Sequence, residues 1–121
     1  MRFITIDGDD VGQTITSAYL RNDLKALEAI NENVNKKTRL IADFLRQQGF
    51  SVIFCAADGV AGYCDKETPD DDFIFDNIKN IAGNELSFSV GIGNSLRESY
   101  TALLSAKSSG KACMHNFKSL E

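Results

Sequence analysis

The sequence predicts a mixed α+β fold with a mostly antiparallel sheet, and three observations support this prediction. Helix-like and strand-like segments alternate along a chain of 121 residues, which is the length of one domain. Asp58-Gly59 separates two apolar runs, a pattern typical of a β-hairpin that a purely parallel sheet would not contain. The resulting order is a ferredoxin-like β-α-β-β-α-β core followed by a further helix and an edge strand. We therefore predict one domain over residues 1–121, with helices packed on one face of the sheet.

The first half of the chain contains one predicted strand and two predicted helices. Residues 2–7 form a β-branched and aromatic run that ends in the acidic turn Asp7-Gly8-Asp9-Asp10. Apolar residues recur at helical spacing from residue 13 to residue 48. Asn22-Asp23 divides this segment into a short helix and a long one, because either residue can cap a helix. Gly49 is expected to end the long helix in a left-handed conformation.

The second half begins with the predicted hairpin. Its strands are residues 50–57 and 60–65, and both Asp58 and Gly59 at its tip tolerate positive φ. Pro69 is predicted to take the first position of a helix that runs to residue 82. The remaining predicted elements are a strand at residues 86–93, a helix that begins at a capping box on Ser95 and ends at Gly110, and an edge strand at residues 111–117.

Composition and charge narrow the class of protein. Apolar residues make up 43% of the chain and charged residues 25%, as in an ordinary soluble domain. The net charge of −4 argues against a generally basic surface, so we do not expect direct binding to duplex nucleic acid. There is no apolar run of membrane-spanning length and no leader-like pattern, and three cysteines do not suggest a disulfide framework. These features predict a cytoplasmic protein.

Two acidic turns are the candidate sites of chemistry. Asp7 ends the first strand, and Asp58 lies at the hairpin tip, so the two carboxylates converge if these elements are neighbours. Two carboxylates and a main-chain carbonyl form an incomplete Mg²⁺ site that leaves positions for water and phosphate. The alternative for Asp58 is ordinary turn chemistry. That alternative is weaker for Asp7-Gly8-Asp9-Asp10, because three acids in four residues repel one another unless a cation offsets them.

A pair of lysines is the third candidate feature. Lys107 and Lys111 are four residues apart at the end of the last predicted helix. Cations at a helix C-terminus interact favourably with the helix dipole, which by itself explains the pair. The functional interpretation is that they hold the β- and γ-phosphates of a nucleotide.

Four segments, taken in order, resemble those of a known family. They are Ile6-Asp7-Gly8-Asp9, Ala56-Ala57-Asp58-Gly59, the strand Phe88-Ser89-Val90-Gly91-Ile92-Gly93, and the helix end Ala106-Lys107-Ser108-Ser109-Gly110-Lys111. This order resembles the palm domain shared by GGDEF diguanylate cyclases and the polymerase subunit of type III CRISPR complexes. The short length is similar to that of the minimal CRISPR polymerase (mCpol) proteins, and the resemblance covers nearly the whole chain.

The resemblance implies roles for individual residues. Asp7, the carbonyl of Gly8 and Asp58 would bind Mg²⁺ or Mn²⁺, with two ions in the complete site. Lys107 and Lys111 would contact the triphosphate. Asp9 is a further candidate catalytic residue, since the resemblance leaves open whether Asp9 or Asp10 supplies another acid or orients the attacking hydroxyl. The other implied nucleotide-binding residues are Asp10, Val11, Gly12, Ala57 and Gly59.

The implied activity is that of a Mg²⁺-dependent nucleotidyltransferase that makes a cyclic oligonucleotide signal from NTP and releases pyrophosphate, in anti-phage defence. Thr14 and Ile15 stand where diguanylate cyclases usually have a guanine-reading asparagine, so ATP is the favoured substrate. One palm domain holds one nucleotide, so joining two nucleotides predicts a homodimer with facing sites. The family also suggests a separately encoded effector that reads the signal.

Two alternatives remain open from the sequence. Gly59 stands where the family motif usually has a second acid, which favours a catalytically inactive nucleotide-binding domain. Asp7 and Asp9 also fit the Asp-x-Asp nucleophile motif of haloacid-dehalogenase-type phosphatases. The hairpin and the absence of a downstream Gly-Asp-x-x-x-Asp motif argue against this second alternative.

Overall fold

The structure is a computed structural model that describes residues 1–65 and 70–120. The strands in these ranges are β1 (Arg2–Gly8), β2 (Ser51–Ala56), β3 (Gly59–Cys64), β4 (Phe88–Gly93) and β5 (Met114–Asn116). The α-helices are α1 (Val11–Leu20), α2 (Leu24–Gln47), α3 (Asp71–Ala82) and α4 (Leu96–Ser108), and a 3₁₀ helix follows at Phe117–Leu120. None of the helices in the described ranges combines the length and apolar character needed to span a membrane. The element order confirms the predicted core and its additional helix and edge strand.

The five strands form one sheet in the order β2-β3-β1-β4-β5. The central strand β1 is antiparallel to both neighbours, and its Asp7 lies opposite Gly59 of β3 and Ser89 of β4. β4 and β5 pair in parallel, so the sheet is mixed but mostly antiparallel, as predicted. This order places the end of β1 beside the tip of the β2–β3 hairpin.

Alternate residues of β1 face opposite sides of the sheet. Ile4 and Ile6 belong to the main hydrophobic core, which they share with residues of α2 and α3. On the other side, the hydroxyl of Thr5 lies 2.9 Å from the hydroxyl of Ser99 in α4. Helices therefore cover both faces, and the expectation of a single covered face is wrong. Helical periodicity identifies the apolar side of a helix but not the face of the sheet on which it packs.

Two glycines of β4 allow α4 to lie against the sheet. A β-carbon at Gly91 would lie 2.1 Å from the carbonyl oxygen of Ser99 and 2.2 Å from the main-chain nitrogen of Leu103. At Gly93 it would lie 2.5 Å from the β-carbon of Glu98. These distances are shorter than any real contact, so β4 and α4 approach closely only because both positions lack a side chain. The close approach fixes where the C-terminal end of α4 meets the end of β1.

The hairpin turn differs from the prediction by one position. β2 ends at Ala56, which pairs with Gly59, so the two turn residues are Ala57 and Asp58. Ala57 has a φ of 50°, whereas neither Asp58 nor Gly59 has a positive φ. The predicted positive φ at Asp58-Gly59 is therefore wrong, because the glycine is already part of the β3 ladder.

The start of α3 also differs from the prediction. Pro69 lies outside the described residues, and α3 begins at Asp71 rather than at position 69. The N-cap is Asp70, whose side chain accepts a hydrogen bond from the main-chain nitrogen of Phe73 at 2.8 Å. An aspartate in this position satisfies a free N–H group of the first turn and so sets the start of the helix.

Candidate active site

The end of β1 and the tip of the hairpin are in direct contact. The N–H of Gly8 donates to the carbonyl oxygen of Asp58 at 3.0 Å. A β-carbon at Gly8 would lie 3.0 Å from the β-carbon of Asp58 and 3.2 Å from its Oδ2, so glycine allows the Asp58 side chain to lie against β1. Asp7 is the preceding residue of β1 and lies opposite Gly59. The structure thus brings Asp7 and Asp58 together at one edge of the sheet.

The two carboxylates influence each other electrostatically. Burial raises the pKa of Asp58, and the negative charge of Asp7 raises it further. A main-chain hydrogen bond and the positive charge of Lys107 lower it, but only in part. Two neighbouring carboxylates that repel each other are stabilised by a cation near both, so this edge of the sheet favours cation binding.

A lysine ammonium lies on the oxygen atoms at the end of β1. Nζ of Lys107, near the end of α4, donates to the Gly8 carbonyl at 2.8 Å and to the Asp7 carbonyl at 3.3 Å. The same nitrogen lies 3.2 Å from Oδ2 of Asp7 and 2.8 Å from Oδ1 of Asp9. Burial lowers the pKa of Lys107, but hydrogen bonds and charges of Asp9 and Asp7 outweigh this effect and raise it above its ordinary value.

Asp9 is the buried acid of the group, with a side chain that is 2% exposed. Its Oδ1 accepts from the Ser89 hydroxyl at 2.7 Å and from Lys107. Its Oδ2 accepts from the Ser87 hydroxyl at 2.7 Å and from the N–H of Ala112 at 2.9 Å. Burial raises the pKa of Asp9, but these hydrogen bonds bring it below its ordinary value. Four donors on two oxygens favour a structural role over the catalytic role predicted from the sequence.

A second ion pair lies at the surface beside the start of α1. Lys111 pairs with Asp10, and the two side chains are 38% and 48% exposed. Asp10 precedes α1 in a left-handed conformation, and its side chain does not cap the helix. Gly12 in the first turn is exposed, with open space where a β-carbon would be. The N–H groups of a first helical turn attract anions, so Lys111 and α1 together suit a phosphate.

An open cleft of about 690 Å³ lies between α1 and α2. Ala57 and Asp58 line the end of the cleft nearest the hairpin, and Val11 and Gly12 line it on the α1 side. Its lining therefore includes three of the predicted nucleotide-binding residues, whereas Asp10 and Gly59 are not part of it. The polar side chains that α2 contributes are those of Glu28, Asn31 and Asn35.

Another cavity, of about 750 Å³, lies near the start of β1 and is separate from this edge of the sheet. Its lining includes Arg2, which pairs with Asp71 of α3, and Asn116, which donates to the same aspartate at 2.8 Å. The cavity is larger, but it contains none of the predicted site residues. We therefore place the candidate site at the cleft beside Asp7 and Asp58 because the acids converge there, although the other cavity is larger.

The oxygen atoms at the end of β1 suit a hard divalent cation. Carboxylate and carbonyl oxygens are the ligands that Mg²⁺ prefers, and here the Lys107 ammonium already contacts four such oxygens. In residues 1–65 and 70–120, no group of three or more His, Cys, Asp or Glu side chains is arranged to hold a metal. A metal would therefore depend on Asp7, Asp58 and the Gly8 carbonyl, with water and substrate phosphate as its other ligands.

The sequence did not predict several residues that shape this site. Ser87, Ser89 and the N–H of Ala112 hold the Asp9 carboxylate, and Asn31 and Asn35 line the cleft. Ser89 could have been found, because it lies in a strand that alternates toward the same face as Asp7. The others had no local signal in the sequence.

The fold and the site define the class of protein: a palm-like domain of the nucleotide cyclase and polymerase type. A family model described as mCpol, the minimal CRISPR polymerase domain, matches residues 3–117, and the chain belongs to this family. The GGDEF domain of TpbB (YfiN) from Pseudomonas aeruginosa is similar in structure, with a TM-score of 0.61 and 18% sequence identity. That similarity covers 95% of this chain and 75% of the GGDEF chain, and at this identity it shows the fold alone. A search of curated proteins finds no match.

The phosphatase alternative does not fit this fold. A haloacid-dehalogenase-type site would follow a strand of a parallel sheet, whereas β1 is antiparallel to both of its neighbours. In addition, the second acid of the Asp-x-Asp pattern, Asp9, is buried under four hydrogen-bond donors. The family assignment points in the same direction.

Proposed function

We propose that the protein is a Mg²⁺-dependent nucleotidyltransferase that converts NTP, with ATP favoured, into a cyclic (oligo)nucleotide and releases pyrophosphate. The observation that carries this proposal is the convergence of Asp7, the Gly8 carbonyl, Asp58 and Lys107 at one sheet edge in a chain of the mCpol family. Nucleotidyl transfer needs mainly electrostatic stabilisation and positioning, and this group of residues offers both.

Asp7, Asp58 and the Gly8 carbonyl would hold Mg²⁺ or Mn²⁺, with two ions in the complete site. A metal held by these residues would lower the pKa of the attacking ribose hydroxyl and would offset charge at the α-phosphate. The ribose hydroxyl would lose its proton to solvent as its oxygen forms a bond to the α-phosphorus, while the bond from that phosphorus to the α,β-bridging oxygen breaks and pyrophosphate leaves.

The triphosphate would lie between the end of α4 and the start of α1. Lys107 and Lys111 offset the negative charge that develops on the leaving pyrophosphate. Lys111 is half-exposed and paired only with the exposed Asp10 among the ion pairs of the described residues, so it can turn to a phosphate. The exposed first turn at Gly12 leaves room for the phosphate to approach the main chain.

The base would occupy the cleft between α1 and α2. Adenine offers an N–H₂ donor next to a ring-nitrogen acceptor, which an asparagine side chain can match with its carbonyl and amide. In the cleft the amide of Asn35 donates to the Asn31 carbonyl at 3.2 Å, which leaves the Asn35 carbonyl and the Asn31 amide available. A guanine edge could use the same two groups, so ATP is the proposed substrate because Thr14 and Ile15 stand where diguanylate cyclases have their guanine-reading asparagine. The yields of cyclic product from ATP and from GTP test this preference.

We also propose a homodimer, because two nucleotides held by two palm domains must meet. Leu96, Tyr100 and Leu104 are 59%, 56% and 50% exposed, and their spacing of four residues places them on one side of α4. Lys107 follows three residues later on the same side, so this apolar stripe leads directly to the site. A second copy that covers the stripe would bring its own site close to the first.

The dimer has a direct test. Leu104→Glu should shift sedimentation toward the monomer and abolish product formation, while each monomer still binds nucleotide. Leu20→Glu is the matched control, because Leu20 is 83% exposed on α1 and lies outside the stripe. A Leu104→Glu protein that is monomeric and fully active would contradict the dimer proposal.

The family description connects this activity with CRISPR systems. We propose a role in anti-phage defence in which a separately encoded effector binds the cyclic nucleotide. The product itself would be the only link between the two proteins, so the effector should respond to purified product without this protein. A binding assay between purified product and candidate effectors tests this proposal.

One observation favours a second candidate function. Gly59 replaces the second acid of the hairpin motif, so the site has one carboxylate fewer than the family pattern. A domain that binds nucleotide without turnover would fit this loss. Incubation with each NTP and Mg²⁺, followed by mass spectrometry, distinguishes the two candidates: a cyclic product supports the enzyme, and calorimetric binding without product supports the regulatory domain.

A further inference from the structure

The Lys107 ammonium lies on the same oxygen atoms that would bind the metal in the proposed function. We propose that Lys107 is an internal counter-cation that holds these oxygens in the nucleotide-free protein and is drawn away by the triphosphate, so that divalent metal and nucleotide bind cooperatively. This inference rests on the proposed function, because it takes Asp7 and the Gly8 carbonyl as metal ligands. It adds two points to that function: where the Lys107 ammonium lies before substrate binds, and a coupling between metal binding and nucleotide binding.

The overlap of the two cation positions is the first step. Of the four oxygens in contact with Nζ of Lys107, three belong to Asp7 and Gly8. The shortest of these contacts, at 2.8 Å, is with the Gly8 carbonyl. Mg²⁺ binds oxygen at about 2.0–2.1 Å, so an ion on this carbonyl would lie within roughly 5 Å of an unmoved ammonium. Two cations this close repel each other, and the metal binds weakly while Lys107 stays in place.

Lys107 can leave with the buried Asp9 carboxylate still hydrogen-bonded, although that carboxylate loses its ion pair. Its fourth contact is with Asp9, whose carboxylate also accepts from Ser87, Ser89 and the N–H of Ala112. These three donors remain when the ammonium moves, so Asp9 keeps hydrogen bonds on both oxygens. The Lys107 side chain is itself 22% exposed, and an ammonium on a flexible stem can turn toward a phosphate at the open side of the site.

A triphosphate would favour, in two ways, the replacement of the Lys107 ammonium by a metal ion on the Asp7 and Gly8 oxygens. Its negative charge attracts the Lys107 ammonium away from Asp7 and Gly8, and its oxygens add ligands for the metal. Without nucleotide, a metal ion would gain only the Asp7 and Gly8 oxygens that the Lys107 ammonium leaves. By linkage, whatever factor nucleotide adds to metal affinity, metal adds to nucleotide affinity.

The affinity for Mn²⁺ measures this coupling without requiring turnover. Mn²⁺ binding to the full chain is followed by electron paramagnetic resonance, with and without α,β-methylene-ATP, a non-hydrolysable analogue. In the absence of nucleotide, Lys107→Met should bind Mn²⁺ about tenfold more tightly than the wild type, within the usual range of coupling between sites. The analogue should tighten Mn²⁺ binding by a similar factor in the wild type but by much less in Lys107→Met.

Lys111→Met is the matched control. Lys111 is also paired with an aspartate near the site, but that partner, Asp10, is not a proposed metal ligand. Its removal should leave the affinity for Mn²⁺ alone unchanged. The double variant Lys107→Met with Asp7→Asn should lose the gained affinity, which locates the ion at the end of β1. Circular dichroism and urea unfolding verify that each variant is folded.

The outcomes separate this inference from the proposed function. Mn²⁺ binding by Lys107→Met that is equal to or weaker than that of the wild type overturns the inference and leaves the metal site intact. A gain of affinity that survives Asp7→Asn also overturns it, since the ion is then elsewhere. If no variant binds Mn²⁺ even with the analogue, the proposed function itself fails.

Discussion

The side chain of Asp58 lies against the α-carbon of Gly8. A β-carbon on Gly8 would be 3.0 Å from the β-carbon of Asp58 and 2.9 Å from Cγ2 of Val11. The main chain is tied at the same point, since the Gly8 N–H donates to the Asp58 carbonyl. Gly8 thus sets the distance between the two acidic turns that the proposed metal would join.

Gly8→Ala should therefore reduce the free energy of metal binding by more than it reduces the free energy of unfolding. The added methyl group pushes Asp58 away from β1, and overpacking of this kind costs about 1–3 kcal/mol of unfolding free energy. Mn²⁺ affinity and urea unfolding, measured on the same protein, check both parts. Gly12→Ala is the control for stability, because nothing lies within 4 Å of its added β-carbon. Unchanged Mn²⁺ affinity in Gly8→Ala would contradict the close fit.

Asp9→Asn should destabilise the protein by about 2–3 kcal/mol, since the neutral amide loses charge-assisted hydrogen bonds at a buried site. The matched control is Asp10→Asn, whose exposed ion pair with Lys111 contributes about 0–1 kcal/mol. Both values come from urea unfolding monitored by circular dichroism. Equal stability of the two variants would show that the Asp9 network does not hold β1, β4 and the loop after α4 together.

Gly59→Glu should increase metal affinity. Position 59 faces Asp7 across the β1–β3 pair, and the nearest atom to a β-carbon there would be a ring carbon of Phe54 at 3.5 Å, an ordinary van der Waals distance. A carboxylate on this side adds about 1 kcal/mol of attraction per unit cation charge at 4 Å in water, which is about 2 kcal/mol for Mn²⁺, or about thirtyfold in affinity. Gly59→Gln has nearly the same shape without the charge and should show no gain. Equal Mn²⁺ affinities for the two variants would place the ion elsewhere.

Cys113 provides a pH-dependent signal near the Asp9 network. Burial raises the pKa of its thiol above the ordinary value of 9.0, and the charge of Asp9 raises it further. The folded protein therefore holds the thiol proton to higher pH than the unfolded chain, and unfolding free energy falls as pH rises between the two pKa values. Iodoacetamide labelling, resolved by peptide mass spectrometry, should show a higher pH midpoint for Cys113 in native protein than in urea. Asp9→Asn should lower the native midpoint, and identical midpoints in native and unfolded protein would contradict the assignment.

Local sequence patterns predicted the strands and helices well, because each pattern reports its own segment. The break at Asn22-Asp23 is one example: Asp23 caps α2 by accepting from the main-chain nitrogen of Ala26 at 3.0 Å. The left-handed Gly49 after α2, with a φ of 96°, is another. By contrast, the sequence did not reveal the side of the sheet on which α4 packs. That depends on Gly91 and Gly93 meeting a helix that follows them in the chain, which is a tertiary contact.

The site was predictable only in part for the same reason. Asp7 and Asp58 each mark a turn at the end of a strand, so their patterns identify them separately and the sheet order then brings them together. The partners of Asp9 carry no such signal. Ser87 is 78 residues away and Ala112 is 103 residues away, and neither residue type suggests a carboxylate partner. The position of Lys107 on the Gly8 carbonyl likewise follows from packing of α4, although the resemblance pointed to this lysine.

The most direct test of the central claim is product formation by the wild type and by Asp7→Ala under identical conditions. Each protein is incubated with ATP and Mg²⁺, and cyclic nucleotide and pyrophosphate are quantified by mass spectrometry and a coupled phosphate assay. The matched control is Asp43→Ala, which removes an exposed acid of α2 that pairs with Arg46. We expect cyclic product and pyrophosphate from the wild type and from Asp43→Ala, and a loss of at least about a hundredfold with Asp7→Ala, as for removal of a central electrostatic group. Product that is unchanged in Asp7→Ala would contradict a catalytic site at the end of β1.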